Sequence, residues 1–218
     1  MAQSKKFAVI LSGCGVYDGS EIHEATLSLY FISLHGGTYE LFAPDIRQLH
    51  VVNHANGKEM DETRNVLVEA ARIARGKIKP LSHFKVTDFD VLLFPGGYGA
   101  AKNLSNWAIK GPHCEVIPEV ERAIKEMVNA EKPIGALCIS PVILARVLGR
   151  VEVTVGDDPS TIKGIEAMGA IHHRTGHGEV IVDRKNKLIT TPCYMLNANI
   201  AQVGKGIDAL VKALIELD

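Results

Sequence analysis

The sequence predicts an α/β protein, with a mostly parallel sheet covered by helices on both faces. Three observations carry this expectation. Short, wholly apolar runs, Phe7-Ala-Val-Ile-Leu11 and Val91-Leu-Leu-Phe94, have the pattern of strands buried on both faces. Stretches with apolar residues at helical spacing lie between such runs. Strand and helix alternate along the chain, and within one sheet that alternation requires parallel strands joined by crossover helices.

The elements follow in order. A first strand, 7–11, leads into the turn Ser12-Gly13-Cys14-Gly15. A helix over 20–34 places Ile22, Ala25, Leu29 and Ile32 at helical spacing, with Ser20 as its N-cap. Gly36-Gly37 ends that helix. A second strand, 38–43, stops at Pro44-Asp45. A helix over 61–75 closes at Gly76, and residues 81–87 show no period. Strand 90–94 runs directly into Pro95-Gly96-Gly97. A helix over 116–130, a strand over 133–137, a helix over 140–148 and a strand over 151–155 come next. Residues 161–168 read as a helix ended by Gly169. Segments 179–183 and 188–191 flank Lys185-Asn186 as a hairpin, and 196–217 reads as a terminal helix.

Composition bounds the function. The chain has 218 residues; at about 150 residues per domain and with no Pro/Gly/Ser-rich linker, one domain over 1–218 is expected. An apolar share of 46% is that of a globular protein and excludes disorder, collagen and coiled coil. Lys and Arg number 24 against 25 Asp and Glu, so there is no basic footprint for nucleic acid or an anionic membrane. The apolar run 7–11 is too short for a signal peptide or a membrane span. A cytoplasmic protein is expected, or a mature organelle form whose transit peptide has been trimmed. Cysteines 14, 114, 138 and 193 form no CxxC pair, and the nine histidines show no metal spacing, so no metal site is expected. Gly13-Cys14-Gly15 begins a dinucleotide fingerprint, but Asp18 stands where its last glycine belongs.

In such folds the ligand site lies beyond the carboxyl ends of the strands. Cys138 directly follows strand 133–137 and directly precedes a helix. Gly135 and Ala136 before it and Ser140 after it leave room for the tight turn of a nucleophile elbow, and a nearby helix N-terminus favours thiolate. On position alone a buried structural cysteine fits as well. Gly96, Gly97 and Gly99 follow another strand. With the amide of Ile139 they can hold an oxyanion, a contribution of about 100- to 1000-fold in rate. Glu24 is the candidate acid/base, and Glu21 reads as a carboxylate complementing the helix dipole. Cys14 is the rival nucleophile, though a small residue in a tight turn describes it better. Cys114 reads as incidental, and Cys193 as part of the pocket wall. His172, His173 and His177 surround a turn and read as a solvated loop.

The stretch Ser12-Gly-Cys-Gly-Val-Tyr-Asp-Gly-Ser-Glu-Ile-His-Glu24 resembles the opening of the ElbB proteins. These are also described as isoprenoid-biosynthesis or sigma cross-reacting proteins, of the PfpI superfamily in the class I glutamine amidotransferase-like group. Glu62-Thr-Arg-Asn65, Ala70-Ala-Arg-Ile-Ala-Arg-Gly76, Phe94-Pro-Gly-Gly-Tyr-Gly-Ala-Ala-Lys-Asn-Leu-Ser105, Gly135-Ala-Leu-Cys-Ile-Ser-Pro141 and Thr190-Thr-Pro192 extend the resemblance over nearly the whole chain. It implies a flavodoxin-like three-layer α/β sandwich with a mostly parallel central sheet and a small β-hairpin near the C-terminus. It implies that Cys138 is the family's reactive cysteine, Glu24 the glutamate that contacts it, and Gly96, Gly97 and Ile139 the backbone oxyanion positions. Cys14 and Asn103 are further pocket candidates. The implied activity is a glutathione-independent glyoxalase that turns glyoxal or methylglyoxal into glycolate or lactate. The reaction runs through a Cys138 hemithioacetal with Glu24 as acid/base, without cofactor or metal, in a homodimer.

One departure matters. Many superfamily members carry a histidine after the strand that follows the elbow helix, and Val153-Thr-Val-Gly-Asp-Asp158 has none. A Cys-His-acid triad is therefore not expected, nor protease or glutamine-hydrolysing activity, and turnover should be weak. The alternative is a non-catalytic redox or reactive-carbonyl sensor, which needs a low-pKa, accessible Cys138.

Overall fold

The computed structural model describes residues 4–217. Its main sheet is built from β1 (Lys6–Ile10), β2 (Thr38–Ala43), β3 (Lys79–Pro80), β4 (Val91–Phe94), β5 (Ile134–Leu137), β6 (Ile181–Asp183) and β7 (Leu188–Thr191). Their spatial order is β6-β7-β5-β4-β1-β2-β3. Every neighbouring pair is parallel except β6 with β7, the expected hairpin. β4, β5 and β7 are buried along their whole length, and β1 from Phe7 onward. Each large apolar side chain so placed contributes about 1.5–3 kcal/mol.

The helices of five residues or more are α1 (Ile22–Leu34), α2 (Val66–Ile73), α3 (Tyr98–Lys102), α4 (Pro118–Asn129), α5 (Pro141–Leu148), α6 (Pro159–Ala167) and α7 (Ile200–Glu216). α1 packs on α2 and α7, and α5 packs on α4 and α6, giving a helical layer on each side of the sheet. Gly135 makes the contact with α7 possible, because a methyl group there would stand 2.7 Å from Leu214 Cδ1 and 2.7 Å from Leu93 Cδ1. The chain passes from β1 outward to β2 and β3, then returns to place β4 on the other flank of β1. That reversal opens a crevice above the carboxyl ends of β1 and β4, where open α/β sheets bind ligands.

Several boundaries differ from the sequence expectation for identifiable reasons. Glu21, not Ser20, caps α1, with its Oε2 accepting the Glu24 amide at 2.7 Å. Ser20 is committed elsewhere, since its Oγ accepts the Ser12 amide at 2.8 Å. α2 begins only at Val66, because Asn65 caps it through the Val68 amide. The expected strand over 151–155 is reduced to Glu152–Val153, paired with Ile171–His172 outside the main sheet. Side chains of the main sheet take its amides: Asp183 Oδ2 accepts from Glu152 and Thr190 Oγ1 from Thr154. The same pairing corrects the histidine reading, for His172 is a half-buried strand residue rather than part of a solvated loop. α7 starts at Ile200, where Asn199 and Gln202 form a capping box. The unassigned region before β4 supplies the short edge strand β3.

Candidate active site

Cys138 is the first residue beyond β5. Its φ is +58°, a left-handed conformation rare for residues with a side chain. Two bonds lock the turn. The Cys138 amide donates to Thr191 O on β7 at 3.0 Å, and Ser140 Oγ donates to Pro95 O beyond β4 at 2.7 Å. Three strand ends thus fix one residue, and such over-determined strain is characteristic of functional turns. The predicted strand–turn–helix is present, but Cys138 is buried, with the residue only 7% exposed.

Glu24 reaches Cys138 from the first turn of α1. It is fully buried, and its Oε2 and the Cys138 sulfur face each other across Gly96, 2.5 Å and 3.0 Å from where a methyl group on that glycine would stand. Its Oε2 accepts the Gly96 amide at 2.9 Å and its Oε1 the Tyr194 amide at 3.4 Å. Burial, and secondarily the charge of Glu21, push its pKa up to about 8, against the pull of those amides. Glu24 is thus held as a neutral acid at pH 7. The glycines after β4 are required for this approach. A methyl group on Gly96 would lie 2.5 Å from Glu24 Oε2 and collide with Cys138 Cβ, and Gly97 has a φ of +98°.

The amides divide their work differently from the sequence expectation. The backbones of Gly97 and Ile139 favour the ionised Cys138 sulfur and lower its pKa. Gly96 does not serve as an oxyanion donor, because its amide is already bonded to Glu24. The expectation of a low-pKa, accessible thiol also fails. Burial first, then the charge of Glu24, hold the Cys138 thiol well above its ordinary range, and those two backbones only partly offset this.

Two predicted pocket residues stand apart. Cys14 lies half-buried among Glu69, Arg72 and Asp18, and burial followed by the Glu69 charge raises its pKa. Asn103 lines a separate surface cleft, and its side chain is a staple within the fold. Its Nδ2 donates to Ser12 O and Asp18 O, and its Oδ1 accepts from Leu49. Two surface clefts, of about 940 and 370 Å³, also lie elsewhere, and Cys138 lines neither. Cys114 is buried away from this region, beside Arg146.

The region after α5 offers no substitute for the absent histidine. Asp157 is exposed, and Asp158 caps α6 through the Thr161 amide. Beside Glu24 lies instead a pair not foreseen from sequence. His23 Nδ1 lies 2.8 Å from Tyr194 Oη and 3.9 Å from Glu21 Oε1. Burial, then the charges of Glu21 and Glu24, raise the Tyr194 phenol. The available signal was topological: Thr190-Thr-Pro192 ends the strand beside β5, so the residues after it border Cys138. Cys193 is among them and is buried, at 4% exposure.

No family model matches the chain. The ES1 protein homolog, mitochondrial, of Rattus norvegicus is 47% identical over 222 residues, covering 97% of this chain and 84% of that protein. The human glutamine amidotransferase-like class 1 domain-containing protein 3, mitochondrial, is also 47% identical, over 97% of this chain and 83% of its own length. Among solved structures, an isoprenoid biosynthesis protein with amidotransferase-like domain from Ehrlichia chaffeensis superposes with a TM-score of 0.90 at 38% identity, over 96% of this chain and 98% of that one. Glyoxalase III from Candida albicans shares the fold, with a TM-score of 0.60 at 14% identity, over 96% of this chain and 97% of that one. Among the described residues no helix is long and apolar enough to cross a membrane.

Proposed function

The chain belongs to the glutamine amidotransferase-like class 1 family that includes the ES1 proteins, and from that premise we propose that it is a cofactor-independent glyoxalase of the ElbB type. The observation that carries this reading is the Cys138–Glu24 pair, a strained elbow thiol facing a buried acid across Gly96, with the backbones of Gly97 and Ile139 beside the sulfur. The substrate is a small dicarbonyl, glyoxal or methylglyoxal. The reactive form is the one in which Glu24 is ionised: its carboxylate takes the thiol proton as the Cys138 sulfur adds to the aldehyde carbon, passes that proton to the aldehyde oxygen, and is left as a carboxylate base. The Gly97 and Ile139 amides steady the oxygen as charge develops. Glu24 then removes the proton from the carbon bearing sulfur and delivers it to the neighbouring carbon through an enediol. Water cleaves the resulting thioester and releases the hydroxy acid and the thiol. The overall reaction adds one water and needs no oxidant.

The raised thiol and the absent histidine both predict slow turnover. The test is glycolate or lactate formation from glyoxal or methylglyoxal by purified protein without glutathione. Wild type should be active, Cys138→Ala inactive, and Glu24→Gln reduced by about 100-fold or more. Activity that survives in Cys138→Ala refutes the mechanism. The reading includes a homodimer, for which sedimentation velocity should return a particle of two chains.

A further inference from the structure

We propose that Cys138 and Cys193 form a reversible disulfide when peroxide oxidises the site, so that Cys193 is a resolving cysteine. This does not rest on the glyoxalase reading, since it concerns the two sulfurs and an oxidant.

The placement is set by the sheet. β5 and β7 are parallel neighbours with Leu137 opposite Thr191, and the Cys138 amide donates to Thr191 O at 3.0 Å. Adjacent strands lie about 4.8 Å apart. Cys138 begins the turn after one strand, and Cys193 lies two residues beyond the end of the other. Glu24 bridges the two turns. One of its oxygens takes the amide of Gly96, where an added methyl group would stand 3.0 Å from Cys138 Sγ; the other takes the amide of Tyr194, next to Cys193. Both cysteines are buried. Both also hold left-handed backbones, at φ +58° and φ +45°. Two strained cysteines at neighbouring strand ends, around one carboxyl, exceed what packing alone requires. Burial first, then the charges of Glu24 and Cys138, oppose ionisation of Cys193, consistent with that proximity.

The chemistry balances with hydrogen peroxide as oxidant. The Cys138 sulfur attacks one peroxide oxygen and the O–O bond breaks. Sulfenic acid forms, and the departing hydroxide takes a proton and leaves as water. The Cys193 thiol then attacks the Cys138 sulfur, the S–O bond breaks, and a second water leaves with the proton that Cys193 gives up. The sulfurs lose two electrons and the peroxide gains two. The nucleophile is masked until a dithiol reduces the bond. Because the Cys138 thiol is held high, the first step should accelerate above neutral pH.

The experiment treats the reduced full chain with hydrogen peroxide at alkaline pH, blocks remaining thiols by alkylation, and maps peptides without reduction. The expected product joins the peptides of Cys138 and Cys193, is two hydrogens lighter than their sum, and reverts with dithiothreitol. Cys193→Ala should convert Cys138 to sulfinic acid that dithiothreitol does not reverse, while Cys14→Ala should leave the cross-link intact. Three results would overturn the proposal: sulfinic acid at Cys138 of wild type with Cys193 alkylated, a bond from Cys138 to Cys14, or Cys138 still reduced after treatment that oxidises another cysteine.

Discussion

Replacing Glu24 by glutamine should make the protein relatively more stable as the pH rises. The side chain keeps its length and an oxygen to accept the Gly96 amide, but loses its titration. Burial and the neighbouring Glu21 move the Glu24 pKa from an ordinary 4.5 up to about 8. At about 1.4 kcal/mol per tenfold, folding favours the protonated carboxyl by up to about 5 kcal/mol. Since the folded value is the higher one, this contribution is fully present below pH 4.5. It drains away as the pH climbs through about 8, where the buried group must ionise or the chain must unfold. The glutamine variant has no such loss. For a chain of this size each kcal/mol is worth about 2–4 °C in Tm, so the Tm difference between variant and wild type should widen by up to about 10–20 °C from acid to alkaline pH. Thermal unfolding followed by circular dichroism at pH 4.5, 7 and 9, at one ionic strength, measures that difference, and other titrating groups cancel from it. A difference that stays constant across the series refutes the buried neutral acid. Glu21→Gln should narrow the effect by removing the second cause of the raised pKa.

The same pair sets the pH dependence of the proposed reaction. Thiol and carboxyl both hold protons at pH 7, so kcat/KM for methylglyoxal should rise toward about pH 8 as the pair loses one; a flat profile from 6 to 9 would contradict this. Gly96→Ala should fold less stably and lose at least about 100-fold in activity, because its methyl group displaces Glu24 Oε2 or Cys138. An active Gly96→Ala enzyme with a normal Tm would show that the approach is not tight. Asn103→Ala should cost about 2–3 kcal/mol in urea unfolding, for two buried hydrogen bonds to Ser12 and Asp18 and a part-buried one from Leu49; any activity retained by the folded fraction should have an unchanged KM.

Much of the fold was legible because burial on both faces leaves a plain mark. The wholly apolar runs at 7–11 and 91–94 can be little else in a chain that alternates with helices. The hairpin around Lys185-Asn186 was equally plain. Boundaries failed where a side chain, rather than the backbone pattern, decided the outcome. Ser20 has the preferred chemistry for a cap, yet its hydroxyl serves Ser12 across the turn, and the longer Glu21 caps in its place. The run 151–155 has a strand's composition, but Asp183 and Thr190 take its amides on the side of the main sheet, so it pairs only with Ile171–His172. No local propensity encodes such long-range partners.

The site shows the same division. Position after a strand located Cys138, and a first-turn carboxylate located Glu24, because both follow from chain order. The direction of the thiol's pKa did not follow. Sequence offers the nearby helix N-terminus, which favours thiolate, but hides the burial and the acid at its side, which together win. Nor could sequence say that Gly96 spends its amide on Glu24. That bond changes the chemistry. With its oxygens tied to amides beyond β4 and β7, the carboxyl has little freedom to move, and the remaining variable is where its proton resides. A thiol and an acid that exchange one proton in a fixed frame form a single functional unit, and removing either should disable both.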